Sequence, residues 1–198
     1  CLTASSLKSD FFQNFNNIGN VYFAQGDFQS AHSAYSKAAS INPKNASSWN
    51  NLANVQRVQG QLTIAIENYQ SAIKNNPLLA EAHNNLGAAL KEAGRVVEAT
   101  TSYRHAIELQ PDFYQAHSNL GVALLEQCQI EAALDSFRQA LAINPRHSIA
   151  HSNLLFGMAY LESNPSTFHE ACKFGAWQTL SAKPYSSWPH AERQCIPL

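Results

Sequence analysis

The residues with the most chemistry to offer are asparagines in register. Asn17, Asn51, Asn85, Asn119 and Asn153 recur at an interval of about 34 residues. Asn16, Asn50 and Asn84 stand beside the first three, and Asn20 and Asn54 lie one helical turn further on. Asparagine is a mediocre helix former, so propensity does not explain such a series inside helices. Each amide carries two N–H donors and an acceptor oxygen. A column of them could hydrogen-bond the backbone of an extended peptide with little regard for its side chains. It could equally bond between neighbouring units of the chain, and the two uses are not exclusive.

His83, His117 and His151 repeat in the same way. Stacked units set them about 8–10 Å or more apart, too far for one metal ion with ligands about 2 Å away. They read as helix-face residues in the slot that Phe15 and Trp49 fill earlier, and no metal site is expected. No serine lies in a G-x-S-x-G elbow and no glycine-rich loop follows a strand, so no catalytic residue and no cofactor is assigned. Cys1, Cys128, Cys172 and Cys195 are far apart in sequence and read as thiols in a reducing, cytoplasmic setting.

What must position the asparagines is a repeat that begins at Phe12. The units are 12–45, 46–79, 80–113 and 114–147, with 1–11 as a lead-in where Ser9 or Asp10 is expected to cap the first helix. The seventh position is a core aliphatic: Ile18, Leu52, Leu86, Leu120. The eighth is small: Gly19, Ala53, Gly87, Gly121. The fifteenth is Gly26, Gly60, Gly94 and then Cys128, which predicts a looser or more strained turn in the fourth unit. The twentieth and twenty-seventh are alanine throughout, the twenty-fourth is Tyr35, Tyr69, Tyr103 and Phe137, and the thirty-second is proline. Small residues let two helices approach, the aromatic fills the space between them, glycine ends the first helix and proline the second. The expected fold is all-α: a right-handed solenoid of antiparallel helix pairs, each unit stable only against its neighbours.

Residues 148–162 repeat a first helix, but Leu155 replaces the small eighth residue. The segment 163–198 reads as a helix from Pro165 to about Ala182, started by Asn164 and Pro165, and an extended tail. Tyr114, Trp177, Tyr185 and Trp188 are candidates for packing at this junction.

Composition narrows the function. Hydrophobic residues make up 45% of the chain, enough for a real core, while charged residues are 14% and the net charge is −1. A nucleic-acid binder would show a basic stripe, and none exists. No apolar run is long enough to span a membrane.

The spacing Phe15-x-x-Ile18-Gly19-x-x-Tyr22, with Ala31-x-x-x-Tyr35 and Pro43, resembles the tetratricopeptide repeat (TPR) family over residues 12–147. Gln56 departs from the aromatic or aliphatic usual there. The resemblance implies a protein- or peptide-binding scaffold. A carboxylate clamp would need more basic residues on the first helices than Arg57 and Lys91, so that mode is not expected. Residues 80–198, and His151–Phe156 (HSNLLF) above all, resemble the repeat region and junction of bacterial protein O-GlcNAc transferases. This implies a substrate-recruiting arm, inactive alone, ahead of UDP-sugar-using lobes beyond Leu198. It also implies that the Asn17–Asn153 column contacts peptide backbone. The alternative is a free-standing adaptor capped by the 165–182 helix.

Overall fold

A computed structural model describes the backbone of residues 2–163 and the side chains of residues 11–158. Among the described residues there are nine α-helices and no strand. They are α1 (Leu2–Ala24), α2 (Phe28–Ile41), α3 (Ala46–Val58), α4 (Leu62–Asn75), α5 (Ala80–Glu92), α6 (Val96–Leu109), α7 (Tyr114–Glu126), α8 (Ile130–Ile143) and α9 (Ser148–Ser163). The junction helix and tail expected after residue 163 lie outside the described residues.

Short turns join the helices, so neighbours run antiparallel, and each packs on the helix before it and the helix after. The first helices of neighbouring units approach one another more closely than the second helices do. The stack therefore curves with α1, α3, α5, α7 and α9 on its inner side. Helices of 13–14 residues are too short to hold in water alone, so lateral packing stabilises them.

The local stops follow from residue type. Gly26, Gly60 and Gly94 take φ of 77°, 76° and 77° in the turn inside each unit. Cys128 takes the same conformation at φ 58° although it carries a Cβ, which strains that turn. Asn42, Asn76, Gln110 and Asn144 precede the prolines and are extended, with φ between −128° and −141°. Three of them close an Asx turn, their Oδ1 accepting from the backbone N–H of Lys44, Leu78 and Arg146.

The core is the row of aromatics at the twenty-fourth position, each against the small residue at the eighth. A Cβ on Gly87 would lie 2.7 Å from the Tyr103 ring, and one on Gly121 2.5 Å from the Phe137 ring. Tyr69, Tyr103 and Phe137 are fully buried, with alanines from both helices around them. Gln56 is buried as well, and the amide of Asn68 donates to it at 2.6 Å. The core thus absorbs this polar residue of α3 by pairing it.

Two expectations fail at the first helix. No cap forms at Ser9 or Asp10, because α1 runs unbroken from Leu2. Ile18 is not a core residue: it is 45% exposed, whereas Leu52, Leu86 and Leu120 are buried. Those three pack on the second helix of the preceding unit, and no described helix precedes α1.

Candidate functional site

The first helices place the asparagines along the inner side of the stack, where they form a lattice between units. Asn85 Nδ2 donates to Asn50 Oδ1 at 3.1 Å, and Asn119 Nδ2 donates to Asn84 Oδ1 at 2.9 Å. The rule is that the sixth position of one unit bonds the fifth position of the unit before. Asn50 Nδ2 also donates to Glu81 Oε1 of the following unit at 3.3 Å. Asn50 and Asn84, expected beside the groove, are only 2% and 8% exposed. Their amides serve unit-to-unit contact, since a buried amide without partners would be costly.

The pattern loosens at both ends. Asn16 donates to Ser48 Oγ at 2.8 Å, but its own Oδ1 is buried with no partner. Asn51 turns instead to Asn20 Oδ1, at the 3.5 Å limit. The register would pair Asn153 with Ser118, whose side chain is shorter, and no such bond forms. Asn17 is exposed, while Asn51, Asn85, Asn119 and Asn153 are half-buried.

Asn20 and Asn54 have a different task. They accept the buried hydroxyls of Tyr35 and Tyr69, at 2.7 and 2.6 Å. The same position is Ala88 in the third unit, and the hydroxyl of Tyr103 is accordingly buried without a partner. In the fourth unit it is Val122, and the aromatic is Phe137, which needs none. Burial pushes the Tyr35 and Tyr69 hydroxyls up to about 12, and Arg57 beside Tyr69 partly opposes this. Burial raises Tyr103 too.

The two basic residues on this side are also engaged between units. Arg57 pairs with Glu92 at 2.6 Å and Lys91 with Glu126 at 3.5 Å. The histidines do structural work: Nε2 of His83, His117 and His151 meets the carbonyl of Pro77, Pro111 and Pro145 at 2.9–3.0 Å. Trp49 Nε1 donates to Pro43 in the same way at 2.8 Å. A carbonyl only accepts, so the histidines carry their proton on Nε2. These bonds tie the start of each first helix to the proline loop before it. Among the described residues no three His, Cys, Asp or Glu side chains converge on a metal-sized site.

The family models decide the identity of the repeat. A model described as TPR repeat matches residues 19–60, 54–94 and 89–127, and one described as Tetratricopeptide repeat matches 114–147. The chain belongs to the tetratricopeptide repeat family. No curated protein matches it. Among solved structures, pilF of Pseudomonas aeruginosa is 20% identical, with a TM-score of 0.75 over 91% of this chain and 81% of that one. YrrB, described as a TPR protein with an unusual peptide-binding site, is 20% identical, with a TM-score of 0.62 over 85% and 89%. The O-GlcNAc transferase of Thermobaculum terrenum, as a mutant, is 28% identical, with a TM-score of 0.61 over 67% of this chain but 26% of that one.

Within this TPR stack, sequence reasoning placed the asparagines but missed most of their partners. The link between the ninth and twenty-fourth positions was visible as pairs: Asn with Tyr twice, Ala with Tyr, Val with Phe. Only the packed helices show that these positions touch.

Proposed function

We propose that this chain is a non-catalytic protein-interaction scaffold that holds an extended segment of a partner along the inner side of its first helices. The observation that supports this is the surplus in the asparagine column. Asn119 donates one N–H to Asn84, which leaves a second N–H and its Oδ1 for a ligand. Asn17 and Asn153 make no hydrogen bond among the described residues. From Asn51 to Asn153 the column is half-buried, where hydrogen bonds to a peptide backbone are better shielded than on open surface. Arg57 and Lys91 are held by Glu92 and Glu126, so an acidic peptide tail is not the favoured ligand.

Selection from a library of random extended peptides, followed by calorimetry on those enriched, tests the reading. Peptides of unrelated sequence should bind, because the contacts are to backbone. Replacing Asn17, Asn119 and Asn153 together by Ala should weaken them about tenfold or more, at about 0.5–1.5 kcal/mol per bond. Equal affinity in that variant, with its helical signal intact, rejects the column as the contact surface.

A narrower reading has one observation in its favour. The 28% identity to the O-GlcNAc transferase over two thirds of the chain supports a substrate-recruiting arm of a glycosyltransferase. The parent gene tests it: sequence beyond Leu198 that encodes no sugar-nucleotide transferase removes this reading and leaves the scaffold.

A further inference from the structure

Within a unit, the fourth position on the first helix meets the twenty-sixth position on the second. In the first unit Lys37 lies over the ring of Phe15, 5.6 Å from its centroid. In the third unit the same two positions are His83 and His105, with ring centroids 5.9 Å apart. No other of the four units has an imidazole at both: the second has Trp49 and Ser71, the fourth His117 and Gln139. The spacing that keeps His83 from His117 has no bearing on a pair inside one unit. Each ring of the pair also has one nitrogen engaged. His83 Nε2 donates to the Pro77 carbonyl at 3.0 Å, and His105 Nδ1 meets Glu108 Oε2 at 3.0 Å. A carboxylate accepts, so the neutral His105 ring holds its proton on Nδ1. The two lone pairs left over are on His83 Nδ1 and His105 Nε2.

The geometry points to a site for a divalent transition-metal ion of the zinc type, held by His83 Nδ1 and His105 Nε2. With metal–nitrogen bonds of about 2.0–2.1 Å, two rings on one ion have centroids about 4.5–6.4 Å apart, from a right angle between the ligands to a straight line. The observed separation lies inside that range. A tetrahedral angle asks for about 5.2 Å, which rotation of His105 supplies, its side chain being 56% exposed. The engaged nitrogens provide what metal-bound histidines ordinarily have. A backbone carbonyl or a carboxylate on the other N–H fixes the tautomer and makes the ligating nitrogen more basic. Two imidazoles favour zinc, copper or nickel over magnesium and calcium, which take oxygen ligands. Among the described residues no third His, Cys, Asp or Glu converges on the pair. Water therefore completes the coordination, and the ion exchanges more readily than one in a closed four-ligand site. Bound there, it joins the start of α5 to the last turns of α6.

Zinc chloride titration of the full, untagged chain, read on the histidine ring nitrogens by NMR, tests the proposal. One equivalent is expected to shift His83 Nδ1 and His105 Nε2 together, and magnesium chloride to shift neither. In calorimetry, His105→Gln should weaken zinc binding at least about tenfold, with the helical circular dichroism unchanged. Glu108→Gln leaves both ligands in place and should weaken it by about tenfold. Should His105→Gln disturb folding, Glu108→Gln and the paired ring shifts still decide. His32→Gln, at a histidine elsewhere in the stack, should leave the affinity as it is. Equal zinc affinity in His105→Gln means that a thiol or another histidine takes the ion, and overturns the proposal. So does a shift at one ring alone, or none at about 1 mM zinc. The asparagine column uses other positions, so peptide binding there fails or stands separately.

Discussion

Tyr35, Tyr69 and Tyr103 occupy the same position in successive units, yet their hydroxyls are worth different amounts. Tyr69 donates to Asn54, and replacing it by Phe strands a half-buried acceptor. Tyr103 faces Ala88 and has no partner, so its hydroxyl is a buried group without return. Tyr69→Phe should cost about 1 kcal/mol in urea unfolding, while Tyr103→Phe should be neutral or slightly stabilising. Ala88→Asn should raise stability by about 0.5–1.5 kcal/mol, provided Tyr103 is present, and a double-mutant cycle with Tyr103→Phe reads the coupling. The residue pairs were legible in the sequence as a correlation. Their meaning was not, because nothing in a linear pattern says that the ninth residue of one helix reaches the tip of an aromatic on the next.

At the scale of the element, two uses of glycine separate. Gly60 has open space around a would-be Cβ and is needed only for its positive φ. Gly121 has an ordinary helical backbone and is needed for its absent side chain, beside Phe137. Cys128 is a residue with a Cβ in the first kind of site. Cys128→Gly should therefore stabilise by about 1 kcal/mol, seen as a higher urea midpoint at constant slope. Gly121→Val should cost about 1–3 kcal/mol, because the ring of Phe137 must move. The turn glycines and the proline stops were legible before the fold was known, and so was the weak point at Cys128. The start of α1 was not. The Ser9-Asp10 pair that reads as a cap is carried through as helix, since one cap is worth only about 1 kcal/mol and propagation of a formed helix adds a hydrogen bond per residue.

At the scale of the molecule, Tyr35 and Tyr69 make stability depend on alkaline pH. Their folded values are pushed up to about 12, against about 10 when unfolded. The neutral hydroxyl is the form the fold favours. Its contribution is fully present below about pH 10 and is lost as pH rises towards 12. Thermal melts should be level up to about pH 9 and fall steeply above pH 10, with phenolate absorbance appearing together with loss of helix. Tyr35→Phe with Tyr69→Phe should make the fall shallower, the buried Tyr103 hydroxyl keeping part of it.

The sequence by itself determined the all-α class, the repeat and its period, the small-residue and aromatic positions, and the asparagine series. These are properties of single positions, and 34-residue periodicity makes each visible several times over. The tertiary structure decided what those positions meet. It divided the asparagines into buried links between units, acceptors for tyrosine, and a half-exposed remainder. It turned three histidines into ties to proline carbonyls. Each of these depends on which side chain of one unit reaches which atom of the next, and that distance is set by how the helices stack.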